Sequence, residues 1–185
     1  MNIVAKFFPA DKIATDFRAY AESVIHPSPW KGSFCVRHNT SSPTLADRPD
    51  GFTHQHMLNL KSYYEGLGWH AGPHCFIDDK GVWVFSPLNA PGVHSPSWNS
   101  ESYGVEMLGE YDVENFNSGR GLLVQNCAIA VFAVLSSAAG IDSHSLHDHR
   151  EDPKTDHRNC PGESAHSRKP LFVQFIHDFI AKRLS

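Results

Sequence analysis

The 185-residue chain has no surplus of positive charge: 16 Lys and Arg stand against 20 Asp and Glu. That balance provides no basic face for nucleic acid, and no block of like charges points to a polyanion or a membrane surface. No stretch approaches a membrane span, and no apolar run of signal-peptide length precedes Asp11, so the expectation is a protein that begins life in a cytoplasm. There is no CxxC pair, and Cys35, Cys75, Cys127 and Cys160 fall at irregular positions. This argues against a secretory disulfide framework and against a redox or structural-zinc role for Cys35 and Cys75, taken as neighbours on adjacent strands. There is no internal repeat, and 41% hydrophobic with 19% charged residues suits one globular domain with a sizeable core, read here as a monomer.

What the chain has in quantity is histidine, thirteen in all. Three lie in Leu146 to Gly162, LHDHREDPKTDHRNCPG, together with four acids, three bases and a cysteine. The run has no apolar period, so it is not a core element, and its two prolines and apolar flanks mark a functional loop rather than a tail. Histidine and cysteine together on a loop suit a transition metal, and zinc favours imidazole nitrogen with thiolate sulfur. The remaining ligand then comes from elsewhere in the chain.

In chain order, the spacing of Ile13, Phe17, Tyr20 and Val24 predicts an amphipathic helix over 11–24, ended by Pro27 and Pro29. Ser33 to Arg37 reads as a short strand that delivers His38 at its end, a good place for a ligand on a rigid element. Met57, Leu60, Tyr64 and Leu67 predict a second helix over 53–67. His74–Ile77 and Val82–Phe85 predict strands around the turn Asp78 to Gly81. Tyr103 to Leu108, YGVEML, reads as an apolar strand interrupted by Glu106, and an acid there is costly unless paired, hydrogen-bonded, outward-facing or used. Leu122–Ala139 reads as a central helix capped by Gly140, and 143–146 as a short extended piece. Pro170–Leu184 reads as a closing helix whose stripe of Phe172, Phe175, Ile176, Phe179 and Ile180 is core. The fold class is α/β, a central mixed sheet with helices on both sides.

Four segments in order, RHNTSSPTL, LGWHAGPHCFIDDKGVWVF, PGVHSPSWNSESYGVEMLGEYD and HREDPKTDHRNCPG, resemble the zinc-dependent N-acetylmuramoyl-L-alanine amidases of the type-2 amidase and peptidoglycan recognition protein superfamily, with phage and prophage endolysins the nearest likeness. The likeness covers roughly residues 30–182. It implies one zinc held by His38, His149 and Cys160, with a fourth position for water, as in catalytic rather than structural sites. His147 and His144 are rivals of His149, because His147 and His149 alternate on an extended chain and spacing alone does not separate them.

The resemblance also implies a general base. One branch of the family uses a Tyr just before its strand, and Pro73 stands at that position here; the recycling branch uses a Glu that matches Glu106 in Gly104-Val105-Glu106. The oxyanion partner, worth on the order of 3 kcal/mol, is a Lys or Thr in the family. Arg158 stands at that position beside His157, so His157, Arg158 and Lys154 all remain open. Asn39, Trp69, His94 and Trp98 match substrate contacts, the Gly68-Trp69 pair leaning toward a Gram-negative-type wall, while His74 reads as a core histidine or one supporting a ligand. Asp152 and Asp156 read as loop-capping acids. The implied substrate is peptidoglycan or a muropeptide, cut at the amide between muramic acid and L-alanine. Two other readings are a cytosolic recycling amidase and a non-catalytic binder of the same fold.

Overall fold

The computed structural model describes residues 1–184. Six strands, β1 (Lys6–Pro9), β2 (Phe34–Asn39), β3 (Cys75–Ile77), β4 (Gly81–Val84), β5 (Ser102–Met107) and β6 (His147–Asp148), form one sheet in the order β1-β4-β3-β5-β2-β6. β3, β5, β2 and β6 are parallel, β4 is antiparallel to β3, and β1 is antiparallel to β4. The expected mixed sheet flanked by helices is therefore present. β1 has no counterpart in the sequence reading: KFFP is short and ends in proline, which suits an edge strand but gives little alternation to detect.

The five helices are α1 (Arg18–Ile25), α2 (His54–Gly66), α3 (Gly119–Ala139), α4 (Glu163–His166) and α5 (Lys169–Phe179). Wider helical turns precede α1 at Ile13–Phe17 and follow α5 at Ile180–Leu184. α3 lies across one face of the sheet with α1 and α5 packed on it, which explains why it is apolar nearly all round. By length and composition its 21 residues could cross a membrane, which corrects the expectation that no stretch approaches a span; most of the helix is buried inside the fold. Gly140, at φ 72°, turns the chain out of α3 in the left-handed conformation that glycine adopts without strain.

Four further expectations shift. β2 runs on to Asn39, so His38 sits inside the strand rather than after it. Residues 143–145 form a tight helical turn held by the Asp142 carboxylate, which accepts from the His144 N–H at 2.9 Å, and the extended piece falls later, at His147–Asp148. On α5, Phe172 and Ile176 are buried, but Phe175 is 40% exposed. Cys35 and Cys75 are not on adjacent strands, since β5 lies between β2 and β3. All four cysteines are free thiols, and burial pushes Cys35 up to about 12.

The other face of the sheet carries α2 and the loops. Alternation along β2 sends Arg37 toward α5, where its guanidinium lies 4.6 Å from the Phe172 ring, and His38 to the opposite face. His38 pairs with Glu106, and Glu106 with Phe76, so the three share that face.

Candidate metal centre and cleft

His38, His149 and Cys160 come together at the carboxyl ends of β2 and β6, with their ligand atoms all within 4.8 Å of one another. His38 Nδ1 lies 4.0 Å from Cys160 Sγ. The other nitrogen of each imidazole is occupied: His38 Nε2 lies 3.1 Å from His94 Nδ1, and His149 Nε2 lies 2.8 Å from Thr155 Oγ1. His94 Nε2 is in turn 3.4 Å from the Ser102 carbonyl, which can only accept, so His94 donates there and its Nδ1 accepts from His38. That chain leaves the His38 Nδ1 lone pair facing the thiol. Gly104 makes room for the relay, because a Cβ there would overlap the His94 ring.

The donor set fits zinc. Burial, reinforced by His149 and His94, holds His38 well below the ordinary imidazole range, and burial lowers His149 to about 4, so both rings are neutral ligands at pH 7. Burial also pushes the Cys160 thiol up, and a divalent cation would supply the charge that a buried thiolate needs. Three protein ligands on the wall of an open cavity are the pattern of a catalytic site.

The structure separates the rival histidines. The strand ends at Asp148 and the chain turns into a tight helical turn at His149, so His147 and His149 do not face the same way. His147 Nδ1 pairs with Glu151 Oε2 at 3.0 Å and its ring packs on Trp98 and Phe34, while His144 is exposed beside Asp142. A second acid–histidine group, Asp148, Glu151 and His166, also comes together. Its acids are neutralised by Arg37 and Lys169, which leaves no negative charge for a cation.

The cavity at the candidate ligands has a volume of about 710 Å³ and is lined by Asn39, Tyr64, Trp69, Glu106, His157 and Arg158 as well as the three ligands. Glu106 is the half-buried acid of β5 in the cavity, and desolvation alone pushes its carboxyl up to about 8. His157 stacks on His149 at 5.2 Å. Arg158 also lines the cavity, whereas Lys154 does not. Asn39 donates its side-chain N–H to the Gly109 carbonyl at 3.1 Å, and its backbone N–H bonds Cys160. Trp69 stacks on Tyr64 at 5.2 Å.

Two expected substrate contacts are placed differently. Trp98 lies outside the cavity, edge-on to Phe34 and tilted against His147. His94 touches the cavity but is 9% exposed and engaged with His38, so it orients a ligand. Asp152 caps its own loop through the Lys154 N–H at 2.8 Å and ties that loop to Ser95 and Ser97. Sequence reasoning missed Tyr63 and Tyr64 as cavity walls and Thr155 as the partner of His149. The polar spacing of the loop gave no signal for Thr155.

His74 behaves as a buried neutral ring. Its Nδ1 accepts from the Gly104 N–H and its Nε2 donates to the Ala90 carbonyl, each at 3.0 Å. Burial lowers it to about 4, against an unfolded value near 6.5. The unfolded chain therefore binds the proton first as pH falls. Stability is fully present above pH 6.5 and declines down to about pH 4, by about 3 kcal/mol from this ring alone. Urea unfolding of metal-free protein across that window should show the loss, and the His74→Gln variant, less stable at pH 7.5, should show a shallower slope.

The α/β domain thus gathers two imidazoles, a thiol and a half-buried carboxylate in one open cleft. The model of the N-acetylmuramoyl-L-alanine amidase family matches residues 28–163, and the chain belongs to that family. Peptidoglycan-recognition protein SC2 of Drosophila melanogaster is 26% identical over 137 residues, 70% of this chain and 68% of that protein. Among solved structures, the N-acetylmuramoyl-L-alanine amidase LysC from Clostridium intestinale is similar at TM-score 0.59 and 21% identity, covering 77% of this chain and 86% of its own. A point mutant of Drosophila PGRP-LB in complex with tracheal cytotoxin is similar at TM-score 0.60 and 19% identity, covering 77% and 83%.

Proposed function

We propose that the protein hydrolyses the amide between N-acetylmuramic acid and L-alanine in peptidoglycan, with zinc held by His38, His149 and Cys160. The observation that carries this reading is the placement of Glu106 in the same cavity as those three side chains, on the strand position paired with His38. When bound, zinc supplies Lewis acidity, which polarises a carbonyl and acidifies water. Glu106, whose burial raises its affinity for protons, takes the proton of the attacking water and then passes it to the more basic leaving amine of L-alanine. His157 and Arg158, both facing the cavity, bind the developing oxyanion, and Trp69 and Asn39 orient the peptide. His94 and Thr155 fix which ring nitrogen His38 and His149 present.

Similarity to the amidase LysC and to the endolysin amidase LysCS supports a wall-degrading, endolysin-like role, in which the protein acts from the cytoplasm after release through the membrane. The recycling reading draws on Glu106 in its Gly-Val-Glu strand. Zinc-loaded protein is expected to release stem peptides with a free L-alanine amine, detected by mass spectrometry. Chelation should stop this and zinc restore it. Intact sacculi and soluble muropeptides assayed side by side separate the two roles, since a recycling enzyme would leave sacculi uncut. No new amine from either substrate would refute the hydrolase reading and favour a binder.

A further inference from the structure

Of the three candidate ligands, Cys160 has the least support from the core. His38 stands inside β2 and His149 follows β6 directly, whereas Cys160 closes a loop in which residues 153, 154 and 156–159 are exposed. Apolar packing therefore does not fix where its sulfur lies, and hydrogen bonds have to do so.

Those bonds converge on one residue. The Arg150 N–H donates to the Cys160 carbonyl at 2.9 Å, and a terminal nitrogen of the Arg150 guanidinium donates to the Asn159 carbonyl. The two carbonyls belong to the peptide units on either side of the Cys160 Cα. With both planes pinned, the two free backbone angles of Cys160 are set, and with them the direction in which its side chain leaves the chain. Arg150 is also peptide-bonded to His149, so a single residue registers the thiol against the second ligand. The other terminal nitrogen reaches Glu163 Oε2 at 3.0 Å, at the start of α4, and the Glu163 N–H is itself held by Asp112 Oδ1 at 2.8 Å. The Glu163 side chain is 66% exposed, so this ion pair adds little stability and serves to aim the guanidinium. Arg150 Nε is buried with no partner, a cost that a merely solvating side chain would not carry.

We infer that Arg150 is a positioning residue for the third ligand: it holds the backbone of Cys160 so that Sγ meets His38 and His149, and thereby sets how tightly the centre grips its metal. This rests on the zinc site proposed above. Arg150 does not line the cavity, so it acts through Cys160 and not on substrate. Without the guanidinium, water satisfies the Asn159 carbonyl of this exposed loop, and the fold loses little. The thiol then has to be ordered each time an ion binds, and that ordering is taken from the affinity.

The test is zinc affinity, measured by competition with a chromophoric chelator, on wild type, Arg150→Met, Arg150→Lys and Glu163→Gln, beside urea unfolding of the metal-free proteins. Arg150→Met should weaken zinc binding by roughly 10–100-fold, the usual cost of losing a group that orients a ligand, while metal-free stability changes little. Arg150→Lys, which keeps one donor for the Asn159 carbonyl, should recover part of the loss. Glu163→Gln leaves that bond in place and should stay within about twofold of wild type. A second measurement needs no metal. Cys35, Cys75 and Cys127 are buried and Cys160 is not, so a thiol reagent added to folded, metal-free protein reports Cys160, and Arg150→Met should react several-fold faster. Unchanged zinc affinity in Arg150→Met overturns the role, and so does a loss matched by an equal loss of metal-free stability. If wild type binds no zinc, the metal reading fails; faster labelling of Arg150→Met then keeps the positioning role, and an unchanged rate removes it.

Discussion

Glu106→Gln is expected to keep its zinc and lose turnover by roughly 10²–10⁴-fold, the usual contribution of a positioned proton-transfer group. The amide has nearly the shape of the acid, so the strand pairing of Glu106 with His38 should survive, and burying a neutral group in place of an acid removes a desolvation cost. Cys160→Ser should behave in the opposite sense. It removes one of three ligands and the thiolate charge, so the purified variant should emerge with little metal as well as little activity. Metal analysis beside turnover of the two variants separates holding the ion from moving the proton. A Glu106→Gln enzyme as active as wild type would remove the base from the mechanism.

Arg37→Met is expected to lower stability by about 3–5 kcal/mol, because it strands a charge that the fold has sealed from water. Arg37 and Asp148 are both fully buried, joined by Nε to Oδ1 at 2.8 Å and the second terminal nitrogen to Oδ2 at 3.1 Å. Burial alone would raise the Asp148 carboxyl, yet Arg37, with His166, holds it below the ordinary carboxylate range. The pair spans β2 and β6 at the positions next to His38 and His149. In the double variant Arg37→Met/Asp148→Leu no buried charge is left unmatched, so most of the loss should return. Urea unfolding of the two variants decides this; a double variant as unstable as the single one would mean that packing, not charge, dominates there.

Much of the site could be read from the sequence because its parts keep their order. His149 and Cys160 sit in a polar loop, His38 and Glu106 are titratable positions on strands with apolar stretches, and the structure brings all four to one cavity. What could not be read has physical reasons. Met57, Leu60, Tyr64 and Leu67 share a helical stripe, but only Met57 is buried, while Tyr64 and Leu67 line the cavity. A period marks an apolar face and does not say whether core or substrate covers it. Arg37 and Asp148 are 111 residues apart, and neither carries a local mark of its partner. The loop around Trp98 points to the cleft in sequence, yet packing on Phe34 and His147 keeps the ring outside the cavity.

His38 and Cys160 are 122 residues apart in the chain. An ion gripped by both would be a removable staple across two thirds of the polypeptide. An unfolded chain cannot hold its donors in that arrangement, so each increment of free zinc would favour the folded form. Until residue 160 has been made, a growing chain holds at most two of the three donors, so a complete grip on the ion would arrive only with Cys160.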